Sequence, residues 1–368
     1  MDNLYMRKKG PVNKKLIISL AVGIGVAVIA IVVLIVLLVN PGSDKNKGND
    51  SAPTATVQPT PTPTSAIPGA NPELPIQTDE NGKAQWLPSD TTIDVLDKFN
   101  TVETRFVPLE GYERVAVEKD SFAEYLRNYK LKTFGSVAMA YDDKTGSYVE
   151  NVDASTAGVF ELSGNLNRWM QCADSIIMLY AEYLYEQKRY SEISFTFANG
   201  FECDWMSYMQ GNRFNAKKSV WEMKAEPSDT YETFQKYIDL VYQYANTDSL
   251  ARDMSVSPSM NDISVGDAFV VGVSQLQAVA STINPDADIK YGHAIFVVDV
   301  AVNPKTGKKI FMIAEGNTPA TEISIIENPN SEMGVWFEFN QVGSFIKSAE
   351  SGIPWSAAWL KRFPGTVK

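Results

Sequence analysis

The stretch Tyr291-Gly292-His293-Ala294-Ile295-Phe296-Val297-Val298-Asp299 decides how this chain is read, because it places the only histidine of 368 residues at the head of an apolar run of strand length. Gly266-Asp267-Ala268-Phe269-Val270-Val271-Gly272-Val273 before it and Lys309-Ile310-Phe311-Met312-Ile313-Ala314-Glu315 after it have the same character. Three such runs separated by turn residues predict an antiparallel sheet. An imidazole takes and returns protons near neutrality, so a lone histidine at a strand start raises the question of what it meets.

A thiol is one answer. Asn165 to Tyr185 carries Leu166, Trp169, Met170, Ala173, Ile176, Ile177, Tyr180 and Leu184 at spacings of three and four, which predicts a helix with one apolar stripe. Gln171, Asp174, Glu182 and Glu186 fall off that stripe. Cys172 lies at its margin in the first two turns, where a helix N-terminus favours a thiolate. Helices precede the sheet, which makes the layout α+β. A third polar group should orient the imidazole, and the next strand offers Glu315 and Asn317.

Strand register decides between them. If residues 303–307 form a five-residue loop, Val302 faces Lys308, His293 faces Asn317, and Glu315 is a diagonal neighbour on the same face. If Asn303 pairs with Lys308 across a four-residue loop, His293 faces Thr318 and Glu315 turns away, since one residue of slip reverses every side chain. We take the first register, with Glu315 the preferred partner and Ile295, Val297 and Asp299 on the histidine's face.

Each residue also has a plainer reading. Cys172 is equally a small buried hydrophobe or one half of a disulfide with Cys203, and His293 is equally a hydrogen-bonded core residue. Glu315 and Asp299 read as strand-end charges. Gln171 offers an amide to an oxyanion, and Arg213 offers a clamp for a substrate carboxylate or a surface ion pair. Trp205, Tyr208 and Trp221 suit a sugar or peptide groove, or simply core. One histidine and two separated cysteines do not make a zinc site, and no cofactor is expected.

The N-terminal part is of another kind. Residues 1–15 hold five bases and one acid, so a formal net charge of −11 leaves about −15 on everything after them, a poor surface for nucleic acid. Residues 16–39 form an uninterrupted apolar run whose 24 residues span roughly 36 Å as a helix, enough to cross a bilayer. The basic tail keeps the N-terminus in the cytoplasm and sends the rest outside. Residues 40–85 are rich in Pro, Thr and Ser around Gln58-Pro59-Thr60-Pro61-Thr62-Pro63-Thr64-Ser65 and read as a disordered stalk. Residues 86–368 are expected to fold as one extracytoplasmic domain.

The order of cysteine on a helix, histidine on a strand and polar group on the next strand resembles papain-like cysteine peptidases and amidases. These include the cell-wall NlpC/P60 and CHAP types and the transglutaminase-like domains. Gly266-Asp267-Ala268-Phe269-Val270 followed by Gly292-His293-Ala294-Ile295 is similar to the paired strands of the NlpC/P60 proteins, and the long step from Cys172 to His293 implies an insertion.

A second resemblance covers most of the outer domain. Gly111-Tyr112, Ser121 to Arg127, Gln171-Cys172-Ala173-Asp174, Ala181-Glu182-Tyr183-Leu184, Ser228 to Leu250, Gly266-Asp267, Gly292-His293-Ala294 and Asn328-Pro329 are similar to the bacterial domain-of-unknown-function 4846 family. This chain has Glu315 where that family is expected to carry Gln. The resemblance implies a family and no activity. The expectation is a membrane-anchored extracytoplasmic cysteine hydrolase acting on peptide, with cell-wall peptide as the substrate class its location suggests. A transglutaminase-like acyl transferase and a non-catalytic envelope binding or scaffold protein are the alternatives.

Overall fold

The computed structural model describes residues 69–71, 76–78, 84–86, 98–151, 156–162, 167–329, 331–339 and 356–366. The basic tail 1–15, the expected membrane helix 16–39 and most of the expected stalk 40–85 lie outside them. No helix among the described residues is long and apolar enough to cross a membrane.

The centre is an eight-stranded antiparallel sheet. Its strands are β1 (Glu113–Arg114), β2 (Thr156–Val159), β3 (Ala268–Val271), β4 (His293–Val302), β5 (Lys309–Glu315), β6 (Ser324–Ile326), β7 (Trp336–Phe337) and β8 (Leu360–Lys361). The order is β8-β3-β4-β5-β6-β2, with β1 added to β4 and β7 added to β5. β3, β4 and β5 are buried along almost their whole length, which is why they read as continuous apolar runs.

Among the described residues, the helices around the sheet include α1 (Phe122–Arg127), α2 (Cys172–Glu186), α3 (Tyr231–Tyr244), α4 (Thr247–Asp253) and α5 (Val273–Ile283). α2 packs on β4 and also meets α1, α3 and α4. It is consequently buried all round from Cys172 to Leu184, Asp174 and Glu182 included. The side of this helix away from the apolar stripe is therefore buried as well. The segment between α2 and β3 covers it, and Glu182 accepts a hydrogen bond from Tyr231 of α3 at 2.7 Å.

α2 also starts later than its periodicity predicts. Asn167 to Met170 form a turn, Gln171 is the N-cap, and the side chain of Asp174 accepts the Gln171 N–H at 3.1 Å. Trp169 consequently leaves the apolar stripe, stands 41% exposed and stacks with Arg168.

The long connection between α2 and β3 has its own elements within residues 190–262. It contains the hairpins Ser194–Thr196/Glu202–Asp204 and Asn212–Asn215/Val220–Met223, the short helix Trp205–Met209, then α3 and α4. Trp205 is fully buried among Tyr185, Tyr190, Tyr208, Phe234 and Tyr237, and Trp221 packs on Phe201 and Tyr208. These aromatics pack against one another, with Trp205 and Tyr208 buried.

The folded part begins ahead of Trp86. Asn71 N–H donates to Arg105 O at 2.7 Å, Val107 N–H donates to Gly69 O at 2.7 Å, and Ala70 is buried. Residues 69–71 are thus paired with the segment 105–107. Composition cannot register a short polar segment that gains order by pairing its backbone with a distant strand.

Candidate active site

The β4–β5 hairpin uses both of the registers weighed above. At the loop, Asn303 N–H donates to Lys308 O at 2.8 Å and Val302 pairs with Lys309, which is the four-residue-loop register. Between Asp299 and Val297 the register slips by one residue, leaving Val298 as a β-bulge, and from there Val297 pairs with Ile313 and Phe296 with Ala314. Extended three residues beyond Phe296, this sets His293 opposite Asn317 and brings Glu315 onto the histidine's face. The bulge therefore restores at the site end the alignment that the loop does not provide.

The same slip moves Asp299 off that face, which corrects its assignment. Asp299 is fully buried and bonded by Arg127 of α1 at 2.7 Å and by Arg114 of β1 at 2.6 Å. It is the anion of a buried cluster and not a solvated strand-end charge.

His293, the first residue of β4, lies opposite Val271 of β3. Its Nε2 is 2.8 Å from Glu315 Oε2, and Glu315 Oε1 accepts from Asn317 Nδ2 at 3.3 Å. Both expected orienters are present in series, Glu315 touching the ring and Asn317 touching Glu315. The ring also hydrogen-bonds the thiol of Cys172. With Nε2 engaged by Glu315, Nδ1 is the nitrogen left for sulfur. Burial opposes charge on the ring, but the hydrogen bonds to Cys172 and Glu315 outweigh it and push His293 up to about 10. The imidazolium is the favoured form, and a cation beside sulfur stabilises a thiolate.

Cys172 is the first residue of α2, a position where backbone N–H groups have no acceptor within the helix and the dipole favours negative charge. It is 4% exposed, and neither it nor Cys203 is in a disulfide. Gln171, the residue before it, holds the Oγ1 of Thr318 through its Oε1 at 3.2 Å. Two glycines permit this convergence of elements. A Cβ at Gly316 would fall 2.2 Å from Ser175 Oγ on α2, and one at Gly292 would fall 2.2 Å from Thr247 Oγ1 and 2.4 Å from Val271 O.

A cleft of about 240 Å³ opens beside Cys172, walled by Gln171, Asp174, Thr247, Asp248, Tyr291 and Thr318 among others. The loop before β4 is held by Gln277 of α5, which donates to Ala287 O and accepts from Ile289 N–H, each at 2.8 Å. Tyr291 stands 63% exposed at the rim.

The six residues singled out from sequence fare differently. Cys172, His293, Glu315 and Asn317 are brought together, and Gln171 shares the cleft wall with Cys172. Arg213 does not line that cleft. Its guanidinium donates to Tyr208 O and Asn212 O and stacks on the Tyr208 ring, 4.0 Å from its centroid, so it is occupied in holding its own hairpin. Asp174 and Thr318 were missed as cleft residues. The one signal for Asp174 was a carboxylate three residues after a helix cap, and Thr318 had none.

Among the described residues no group of three or more His, Cys, Asp or Glu side chains is arranged to hold a metal ion. The molecule is thus a mixed α+β protein with an antiparallel sheet and a buried Cys-His-Glu chain at the junction of one helix and two strands. The family model described as "Domain of unknown function (4846)" matches residues 102–353, and the chain belongs to that family. No curated protein and no solved structure shows a significant match to it.

Proposed function

We propose that this protein is a cysteine hydrolase of papain-like architecture, similar to the NlpC/P60 and CHAP enzymes, that cleaves amide bonds outside the cell. The chain Cys172, His293, Glu315 carries the reading, because a thiol bonded to an imidazole that is bonded in turn to a carboxylate is the arrangement that activates sulfur for attack.

The thiolate of Cys172 attacks the carbonyl carbon, and the resulting oxyanion lies near the first N–H groups of α2 and the Gln171 amide. His293 gives its proton to the leaving amine as the C–N bond breaks, producing a thioester. Water then adds to the thioester, its proton passing to His293, and the acid is released with sulfur free again. Glu315 orients the ring and stabilises its charge, with Asn317 steadying the carboxylate. The apolar run at residues 16–39 supports a membrane anchor with the N-terminus inside, and the Pro/Thr/Ser-rich residues after it support a stalk reaching toward cell-wall peptide.

The purified full-length chain, incubated with peptidoglycan fragments beside its Cys172→Ser variant, tests this. New amino termini released by the wild type alone are expected. Equal release by both, or none by either across muropeptide and isolated stem-peptide substrates, removes the hydrolase reading.

A further inference from the structure

Asp174 is buried in the wall of the same cleft with half of its hydrogen-bonding capacity unused. Oδ2 accepts the Gln171 N–H at 3.1 Å, while Oδ1 is buried with no partner among the described residues. A buried polar atom left unpaired costs about 1–3 kcal/mol, a loss that a bound ligand can recover. We propose that Asp174 is a substrate-binding residue whose Oδ1–H donates a hydrogen bond to an acceptor oxygen, carbonyl or carboxylate, of the acyl compound that Cys172 attacks. This rests on Cys172 being the nucleophile and adds what the nucleophile's partner must present.

The direction of the bond follows from the surroundings. Burial drives the Asp174 carboxyl well above the usual carboxylate range, opposed by the Gln171 N–H and its own backbone N–H. The titratable groups around it are Cys172 on its own helix with His293 bonded to that thiol, Tyr242 on α3, Asp248 on α4, and Lys290 and Tyr291 before β4. Lys290 is taken by Asp288 at 2.5 Å. Burial, the largest of these influences, favours the neutral acid over the carboxylate. Its proton lies on Oδ1, since Oδ2 is an acceptor, and a neutral acid of this kind offers a donor where a carboxylate would repel an anionic ligand.

Two small alkylating acyl compounds probe this without knowledge of the substrate. Iodoacetamide presents a carbonyl oxygen and iodoacetate a carboxylate. In both, the Cys172 sulfur displaces iodide, forming one S–C bond as the C–I bond breaks. Rates are followed at pH 7 on the full-length chain by peptide mapping of Cys172. Asp174→Asn keeps an acceptor for Gln171 and a donor in place of Oδ1–H, so it should keep both rates within about twofold, with the iodoacetate-to-iodoacetamide ratio unchanged. Asp174→Leu should lose about tenfold with both reagents, the worth of one hydrogen bond.

A ratio that rises more than about threefold in Asp174→Asn would mean that a negative charge had been removed, and would overturn the proposal even if Asp174→Leu does not fold. A folded Asp174→Leu with unchanged rates would overturn it as well. No alkylation of Cys172 in the wild type would instead sink the nucleophile reading on which it rests.

Discussion

At the level of single residues, His293 is the group on which the site turns, and its neighbours set its charge. Because its folded pKa lies above that of a free imidazole, it contributes stability that is complete below about pH 6.5 and is lost as pH rises through about 10. Glu315→Gln removes a charged partner, so the decline in melting temperature between pH 7 and pH 10 is expected to be shallower in that variant. A decline as steep as the wild type's would mean that Glu315 does not hold the ring's proton. For reactivity, His293→Ala should slow iodoacetamide labelling of Cys172 at pH 6 by about tenfold or more, since the cation that favours the thiolate is gone. Equal labelling would leave Cys172 an ordinary buried thiol. Glu182 behaves independently of the site. Burial, opposed by the Tyr231 hydrogen bond and aided by Glu186, pushes its carboxyl up to about 7 from 4.5. The stability this contributes is complete below pH 4.5 and disappears as pH rises through 7. Glu182→Gln keeps the acceptor for Tyr231 and should melt higher than the wild type at pH 8 but not at pH 4.5.

Secondary elements meet at the site through close approaches that leave no room for a side chain. Gly316 presses on Ser175 of α2, so Gly316→Ala should lower stability by about 1–3 kcal/mol and displace the helix carrying Cys172. In a Ser175→Ala background the same change should cost less, because the clashing hydroxyl is absent and the Ser175 Cβ would sit 3.4 Å away, an ordinary contact. A double-mutant cycle by denaturant unfolding reads the difference, and strict additivity would mean the two elements do not touch there. The bulge at Val298 is the other device at this scale. It lets one hairpin present Asp299 to the arginines of α1 and β1 on one side and His293 with Glu315 on the other, which a regular two-residue alternation could not do from this loop.

Over the molecule as a whole, Asp299 joins β4 to α1 and β1 through two buried cations. Asp299→Asn leaves Arg127 and Arg114 without their anion, and a loss of about 3–5 kcal/mol is expected on chemical unfolding. A loss under 1 kcal/mol would mean that the arginines find other acceptors. What the sequence determined by itself was whatever local chemistry can encode. Three apolar runs between turn residues specified strands, and the single histidine stood at the head of one of them. The pairing of Cys172 with His293 was legible only as an order of elements. That the two side chains meet depends on Gly316 and Gly292 letting helix and strands approach, and no local pattern states a distance. Glu315 was legible only through an assumed loop, and it reached the ring by a different loop corrected by a bulge, because register is summed over the whole hairpin. The burial of Asp174 and Glu182 could not be read at all. Helical periodicity places both off the apolar stripe, and only the chain folded over that side decides that no water reaches them.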